Sequence, residues 1–241
     1  MISAMVILFR GFCAIKVFSA AQISRLAASL ASYVRCLIPT TTDLSTDKTT
    51  ITIETKGGIK ELDLTVEDGK VTWVKVDMEA PITKASQIPA IYDDLDEVID
   101  QPVIVDGKEY NITCISMGNP HGVVFVDSVA DIDIEKIGPK FEYHGRFPRR
   151  VNVEFAQVVD REHIIVRVWE RGAGETLACG TGACASAYAS YLNKKTGKKV
   201  LVHLLGGDLQ IEYDEEKDTI FMTGPATTVF DGEIDLTGID D

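Results

Sequence analysis

Apolar and polar residues alternate with a period of two through most of the chain after residue 48. Ile51 and Ile53, for example, alternate with threonines. This period predicts β-strands, and the Asp68-Gly69 pair between two such runs predicts a tight hairpin. Further strands are predicted at 103–105, 111–116, 122–126, 151–159, 163–169, 200–204, 208–213 and 219–223. The body of the chain is therefore expected to consist mainly of antiparallel strands.

Two stretches show the helical period instead. The segment Ser19–Val34 places its large apolar residues on one face, with Ser19 available as N-cap, which predicts an amphipathic helix packed on a core. A second helix is predicted at Gly182–Leu192 and a short one near 132–138, while the acidic segment 81–102 is predicted to be a connector. Helices placed among many strands indicate an α+β protein with two similar halves, each a sheet wrapped on a helix.

Charge is distributed unevenly along the 241 residues, which carry a net charge of −13. The first 42 residues hold four basic and no acidic side chains, and the acidic residues all follow them. The acidic remainder of the chain argues against a nucleic-acid partner, and no apolar run is long enough for a membrane span. The first 42 residues, which lack acidic side chains, have a composition typical of an organellar transit peptide. The five cysteines are sparse and odd in number, which favours a reducing, cytoplasmic compartment.

The stretch 170–184 concentrates the candidate chemistry, because a Gly-rich loop after a predicted strand leads through Cys179 into the second helix. A thiol at a helix N-terminus is expected to have a lowered pKa. Gly180 and Gly182 leave main-chain N–H groups open to an anion such as a carboxylate. A base beside an anion site suits proton abstraction next to a carboxylate. The alternative is that Cys179 is a small core residue and the glycines form a turn.

Two other clusters contain polar residues at strand ends. Residues 116–122 include Asn119, Pro120 and His121, and residues 147–155 include Asn152. Turn formation alone would explain the first cluster, and a strand-end hydrogen bond would explain the second. Neither indicates a function by itself.

Taken together, these strings resemble the diaminopimelate epimerase family of cofactor-independent, two-cysteine enzymes. The resemblance is carried by GNPHGVVFV (118–126), FPRRVNVEFAQV (147–158) and ERGAGETLACGTGACA (170–185). It implies two pseudo-symmetric halves, each an antiparallel β-barrel-like sheet around a central helix, with the first half incomplete. The implied domains are residues 1–80, joined by the C-terminal strand 225–241, and residues 81–224, which carry the Cys179 motif.

The resemblance also implies roles for individual residues. Cys179 matches one of two catalytic cysteines that act as thiolate base and thiol acid on opposite faces of Cα. His121 and Glu170 match positions that tune the cysteine pKa values. The substrate-binding positions that it implies are Asn119, Asn152, Glu170, Arg171, Gly180 and Thr181. The implied partner is diaminopimelate, the implied reaction interconverts its LL and meso isomers in lysine biosynthesis, and a homodimer is compatible with it.

The chain departs from the family where the other catalytic cysteine belongs. Matching Ala31–Val34 to the interior of the first central helix places that Cys-Gly-Asn-Gly-like motif near 22–25, which contain neither cysteine nor glycine. Epimerisation by this chain is therefore predicted to be weak or absent. The alternatives are an inactive fragment or misread gene product that only binds or dimerises, and a related two-thiol amino-acid racemase.

Overall fold

The computed structural model describes residues 2–6, 49–55, 58–92, 94–226 and 230–234. The predicted helix at 19–34, the segment 22–25, Cys13 and Cys36 lie outside these residues. In chain order the strands are β1 (Ile2–Val6), β2 (Thr50–Thr55), β3 (Gly58–Glu67), β4 (Lys70–Asp77), β5 (Gln101–Val105), β6 (Lys108–Ser116), β7 (Pro120–Phe125), β8 (Asn152–Val158), β9 (His163–Glu170), β10 (Gly174–Thr176), β11 (Lys199–Leu204), β12 (Gly207–Asp214), β13 (Thr219–Pro225) and β14 (Phe230–Ile234). The helices are α1 (Ile134–Glu142) and α2 (Gly180–Leu192).

The chain divides into two compact units, and the first combines the N-terminal part with the last strand. In it, β2, β3 and β4 form an antiparallel meander, and β1 pairs with β14. Asp68 and Gly69 connect β3 to β4 with φ angles of 51° and 73°, so the predicted hairpin is confirmed. Positive φ at both central residues is the reason an Asp-Gly pair suits this turn.

The second unit covers Met78–Thr223 and contains both described helices. Its strands lie in the order β13-β12-β11-β9-β8-β7-β6-β5, with β10 paired to β9. The distant strands β6 and β12 both contact α2, so the sheet curves around that helix. Helix α2 is rich in alanine and buried along most of its length, as expected for a helix enclosed by a sheet. The predicted α+β class and the helix at Gly182–Leu192 are confirmed.

Strand direction and the connector differ from the sequence-based expectation. The pairs β7–β8 and β9–β11 are parallel, because the chain crosses over through α1 and α2 before it returns to the sheet. The segment 81–102 is not a free connector. It places Ala85, Ile88 and Val98 in the core of the second unit, and Ile82 forms a β-bridge with Ser116. The predicted domain boundaries near residues 80 and 224 stay a prediction.

Buried thiols make the stability of this fold sensitive to alkaline pH. Complete burial raises the pKa of Cys114 from 9.0 to about 12, and burial also raises the pKa of Cys184. A raised pKa in the folded state contributes stability below pH 9 that is lost as the pH rises toward 12. We expect the free energy of unfolding to fall by about 1.4 kcal/mol per pH unit for each such thiol.

Urea unfolding between pH 8 and pH 11 measures this effect. The matched variant Cys114→Ala removes one thiol and leaves every other titrating group in place. Its stability should decline with pH less steeply than that of the parent, whatever the alanine costs at pH 8. Parallel declines would show that Cys114 ionises as easily in the folded chain as in the unfolded one.

Candidate active site

The candidate site is built where the β9–α2 connection meets the ends of β7 and β8. Cys179 is the N-cap of α2, with extended backbone angles of φ −135° and ψ 111°, and its carbonyl oxygen accepts the Ala183 N–H at 2.8 Å. Its Sγ lies 3.5 Å from Thr181 Oγ1. The thiol thus stands at the beginning of a helix whose first N–H groups lack intrahelical acceptors. This is the position that the sequence predicts for it.

The expected lowering of the Cys179 pKa is wrong. The side chain is only 5% exposed, and burial raises the pKa of the thiol far above its ordinary value. The negative charges of Glu170 and Glu154 raise it further. Hydrogen bonds from Thr181 and the Gly182 N–H act in the opposite direction without offsetting burial. Burial and these charges therefore favour the protonated thiol of Cys179 over the thiolate at neutral pH.

His121 is held between two side chains in the interior of the protein. Its Nδ1 lies 2.7 Å from Glu154 Oε1, and its Nε2 lies 3.0 Å from Asn119 Oδ1. Both His121 and Glu154 are completely buried. The parallel pairing of β7 and β8 sets His121 opposite Asn152, two residues before Glu154. Glu154, rather than Glu170, is thus the carboxylate that contacts His121.

Glu154 is a site residue that the sequence analysis did not identify. Its Oε2 has no hydrogen-bond partner among the described residues, although the atom is buried. Its Oε1 faces the first turn of α2, because a Cβ built at Gly182 would lie 2.6 Å from it and 3.3 Å from Cys179 Sγ. A signal for Glu154 was available in the sequence. It is a charged residue between the apolar residues Val153 and Phe155, and such residues are rarely buried without a specific partner.

Glu170 lies at the end of β9 and is partly buried. Burial raises the pKa of this carboxyl group, and the negative charge of Glu154 acts in the same direction. The hydroxyl of Thr176 donates a hydrogen bond of 2.6 Å to Glu170 Oε1 and opposes the shift. Cys179 thus has two carboxylates near it, one from β8 and one from β9.

Asn152 and Arg171 are joined through the backbone. Asn152 Oδ1 accepts the Arg171 N–H at 2.9 Å, while the Arg171 side chain is exposed and donates through Nη1 to the Arg149 carbonyl at 3.1 Å. Within the described part of the chain, the amide NH₂ of Asn152 and the other guanidinium N–H groups of Arg171 donate no hydrogen bond to the protein. A guanidinium with free N–H groups is suited to a bidentate contact with a carboxylate.

The loop that delivers Cys179 is fixed along its length. Arg167 on β9 binds both carboxylate oxygens of Glu175, at 2.7 and 3.1 Å, and also donates to the Val129 and Ile132 carbonyls. The short strand β10 pairs with β9 through Gly174–Thr176. Ahead of the helix, the Leu177 carbonyl accepts the Gly206 N–H. These contacts place the thiol on a rigid support.

The two nearby carboxylates predict how the reactivity of Cys179 responds to mutation. Glu170→Gln keeps an oxygen that can accept the Thr176 hydroxyl but removes a negative charge that raises the Cys179 pKa. Since the thiolate is the nucleophile and the variant should have a lower Cys179 pKa, we expect about three- to tenfold faster alkylation of Cys179 at pH 8.

Peptide mass spectrometry after iodoacetamide treatment measures this rate at Cys179 alone. Glu162→Gln, which removes an exposed carboxylate that does not affect the Cys179 pKa, is the matched control. An unchanged or slower rate in Glu170→Gln would contradict the electrostatic coupling.

The described part of the chain offers neither a cluster of metal ligands nor a helix that could span a membrane. It contains no group of three or more histidine, cysteine, aspartate or glutamate side chains that could hold a metal ion. None of its helices is long and apolar enough to cross a membrane.

Known structures share this fold. A hydroxyproline epimerase from Agrobacterium vitis superposes with a TM-score of 0.57 at 14% sequence identity, over 79% of this chain and 61% of that one. A probable proline racemase from Agrobacterium radiobacter K84 superposes with the same TM-score of 0.57 at 15% identity, over 83% and 64% of the two chains. The chain thus spans less than two thirds of either protein. At this identity the likeness concerns the fold alone.

Sequence comparison identifies the family. The family model described as diaminopimelate epimerase matches residues 113–229. A diaminopimelate epimerase from Methanococcus maripaludis is 56% identical over 191 residues, which are 79% of this chain and 69% of that protein. One from Agathobacter rectalis is 55% identical over 197 residues, with the same coverage of 79% and 69%. The chain belongs to the diaminopimelate epimerase family and is therefore one of the amino-acid epimerases.

Proposed function

We propose that this chain binds diaminopimelate and exchanges the proton at its Cα through Cys179. The observation that carries the proposal is the thiol at the N-terminus of α2, next to backbone N–H groups and two carboxylates, the buried Glu154 and the partly buried Glu170. A carbon acid flanked by a carboxylate needs a base at Cα and donors that stabilise the negative charge formed when the proton leaves. The beginning of α2 offers both within one turn.

The remaining predicted residues provide contacts for a substrate with two amino-acid heads. The N–H groups of Gly180 and Thr181 would receive the reacting α-carboxylate, as helix N-termini receive anions. Glu170 is suited to an ammonium group and Arg171 to a carboxylate. Asn152 lies beside Arg171, and Asn119 contacts His121. Such a set favours diaminopimelate over a substrate with one head, which is the reason to prefer it to the alternative of another two-thiol racemase.

His121 and Glu170 are proposed to tune the protonation of Cys179. Without ligand, Glu170 and Glu154 oppose formation of the thiolate. A substrate ammonium held by Glu170 would offset that negative charge and lower the Cys179 pKa when substrate is present. The thiol would then become a base at the stage where a proton has to be removed.

Inversion at Cα needs an acid or base on each face, and one thiol serves one face. Cys114 and Cys184 are 1% and 0% exposed in the core, and residues 22–25 contain no cysteine. We therefore propose that the chain removes and returns a proton on the same face, with weak or no conversion of the LL to the meso isomer. The family resemblance supports a place in lysine biosynthesis in the cytoplasm, and a homodimer as a compatible assembly.

The test is incubation with LL- or meso-diaminopimelate in deuterated water, followed by chiral separation and mass spectrometry. We expect deuterium at Cα with retained configuration and little of the other isomer. Rapid formation of the other isomer would show that a second acid or base is in place and would overturn the predicted deficiency. Absence of both deuterium and binding would favour an inactive fragment or misread product instead.

A further inference from the structure

Glu142, the last residue of α1, is a buried carboxylate that the proposed chemistry does not use. It is 2% exposed and accepts three hydrogen bonds. Trp169 Nε1 donates to its Oε2 at 2.8 Å, while the Gly172 N–H and Arg150 Nη1 donate to its Oε1 at 2.9 and 3.1 Å. A carboxylate that accepts at both oxygens from donors on separate segments links those segments.

Two of the three donors lie directly next to proposed substrate residues. Trp169 directly precedes Glu170, and Gly172 directly follows Arg171. The Arg171 N–H donates to Asn152 Oδ1, so two successive backbone N–H groups of this turn donate to buried side chains. Glu142 thereby fixes the backbone on both sides of the Glu170-Arg171 pair without touching either side chain.

Packing of Trp169 against α1 holds the same backbone segment in position. A Cβ at Gly138, one turn before Glu142, would lie 2.4 Å from Cδ2 of the Trp169 ring, so the indole lies directly on the helix backbone. Gly172 has a φ of 77°, which forms a left-handed turn that a glycine adopts readily. Arg150 has a φ of 60°, which is uncommon for a residue with a side chain, and its guanidinium binds Glu142. The contacts of Glu142 thus support two left-handed positions around Arg171.

We propose that Glu142 is a positioning residue that orients the Arg171 guanidinium toward the second carboxylate of the ligand. The inference rests on the proposed function, because it assigns that carboxylate to Arg171. Arg171 is an exposed, flexible side chain, and its aim depends on the backbone from which it extends. Loss of the Glu142 contacts should therefore weaken recognition of the second carboxylate more than binding of the rest of the ligand.

Calorimetric titration with meso-diaminopimelate and L-lysine tests this, because lysine has the same chain but lacks one carboxylate. Glu142→Gln keeps the size and one acceptor oxygen but places an NH₂ group where a second acceptor is required. We expect about tenfold weaker binding of diaminopimelate, equal to about 1.4 kcal/mol, with lysine affinity changed by less than about twofold. Glu135→Gln, the same substitution at an exposed position of α1, should change neither.

The outcomes separate this inference from the proposed function. An equal loss for both ligands, or no loss, in Glu142→Gln would overturn the positioning role. A parent chain that binds diaminopimelate no more tightly than lysine would overturn the proposed function, and the inference with it. If Glu142→Gln does not fold, Arg150→Gly is the second variant. It removes one donor to Glu142 at an exposed position with a left-handed φ, which glycine adopts readily. We expect its preference for diaminopimelate over lysine to fall about threefold, with unchanged stability. Unchanged selectivity there would count against the proposal.

Discussion

Cys179→Ala should abolish the incorporation of deuterium at the Cα of diaminopimelate. The alanine lacks the only cysteine sulfur in the described part of the chain that lies at a helix N-terminus beside Glu170 and Glu154. General acid and base groups contribute about 100- to 10,000-fold to proton transfer, so a loss of at least about 100-fold is expected. Removing a small buried side chain should leave the fold and the binding of diaminopimelate largely intact.

The exchange should also depend on pH in a defined direction. The raised pKa of Cys179 leaves little thiolate in the free protein at neutral pH, so kcat/KM for the exchange, which reports the free protein, should increase as the pH rises through 7 and 8. A carboxylate base would instead give a rate that is already constant in this range. The pH profile therefore identifies the base independently of the alanine variant.

Cys184→Ala provides the matched control. It makes the same substitution five residues further along α2, at a cysteine that is completely buried and has no role in the proposed chemistry. This variant should lose some stability and retain the exchange. Equal loss of exchange in both variants would point to damage of the helix, and retained exchange in Cys179→Ala would remove Cys179 from the mechanism.

Periodicity predicted the elements of the second unit but not their partners. Alternating or continuous apolar residues place β5–β9 and β11–β13 correctly, because a strand carries apolar side chains on each face that is buried, and β7 and β8 are buried on both. This pattern contains no information on which strands are neighbours, so the parallel pairs β7–β8 and β9–β11 were not foreseen. The three residues of β10 are too few to show a period at all.

The sequence analysis identified the candidate-site residues at strand and helix ends and did not identify those in the interior. Asn119, Asn152 and Cys179 lie at turns or caps, where the local sequence indicates their positions. Glu142 is recognisable only from its surroundings, because a glutamate on an amphipathic helix such as α1 is typical of a solvent-facing position. Glu154 could have been noticed as a charged residue between apolar neighbours, but its partner His121 comes from a different strand. The wrong direction of the Cys179 pKa has the same origin. The helix terminus is local, whereas burial and the charge of Glu154 come from distant parts of the chain.

Gly182→Ala should destabilise the protein although alanine favours a helix by about 1 kcal/mol over glycine. The new methyl group would lie 2.6 Å from Glu154 Oε1 and 3.3 Å from Cys179 Sγ. A glutamate can usually move its end away, but this carboxylate is completely buried and bound to His121. Overpacking of this kind costs about 1–3 kcal/mol, which should lower the free energy of unfolding and displace the Cys179 thiol.

Shortening Glu154 tests the cause of this loss. Glu154→Asp alone should destabilise the protein because the shorter side chain no longer reaches His121 Nδ1. In the Gly182→Ala background the same shortening removes the steric conflict, so the double variant should be more stable than the sum of the two single losses implies. Urea unfolding of the four proteins gives this interaction free energy, which for contacting residues is about 0.5–3 kcal/mol. Gly145→Ala, where the methyl group meets nothing within 4 Å, controls for the substitution itself. Simple additivity would mean that the carboxylate of Glu154 does not lie against the first turn of α2, and the placement of Cys179 beside it would fail with that contact.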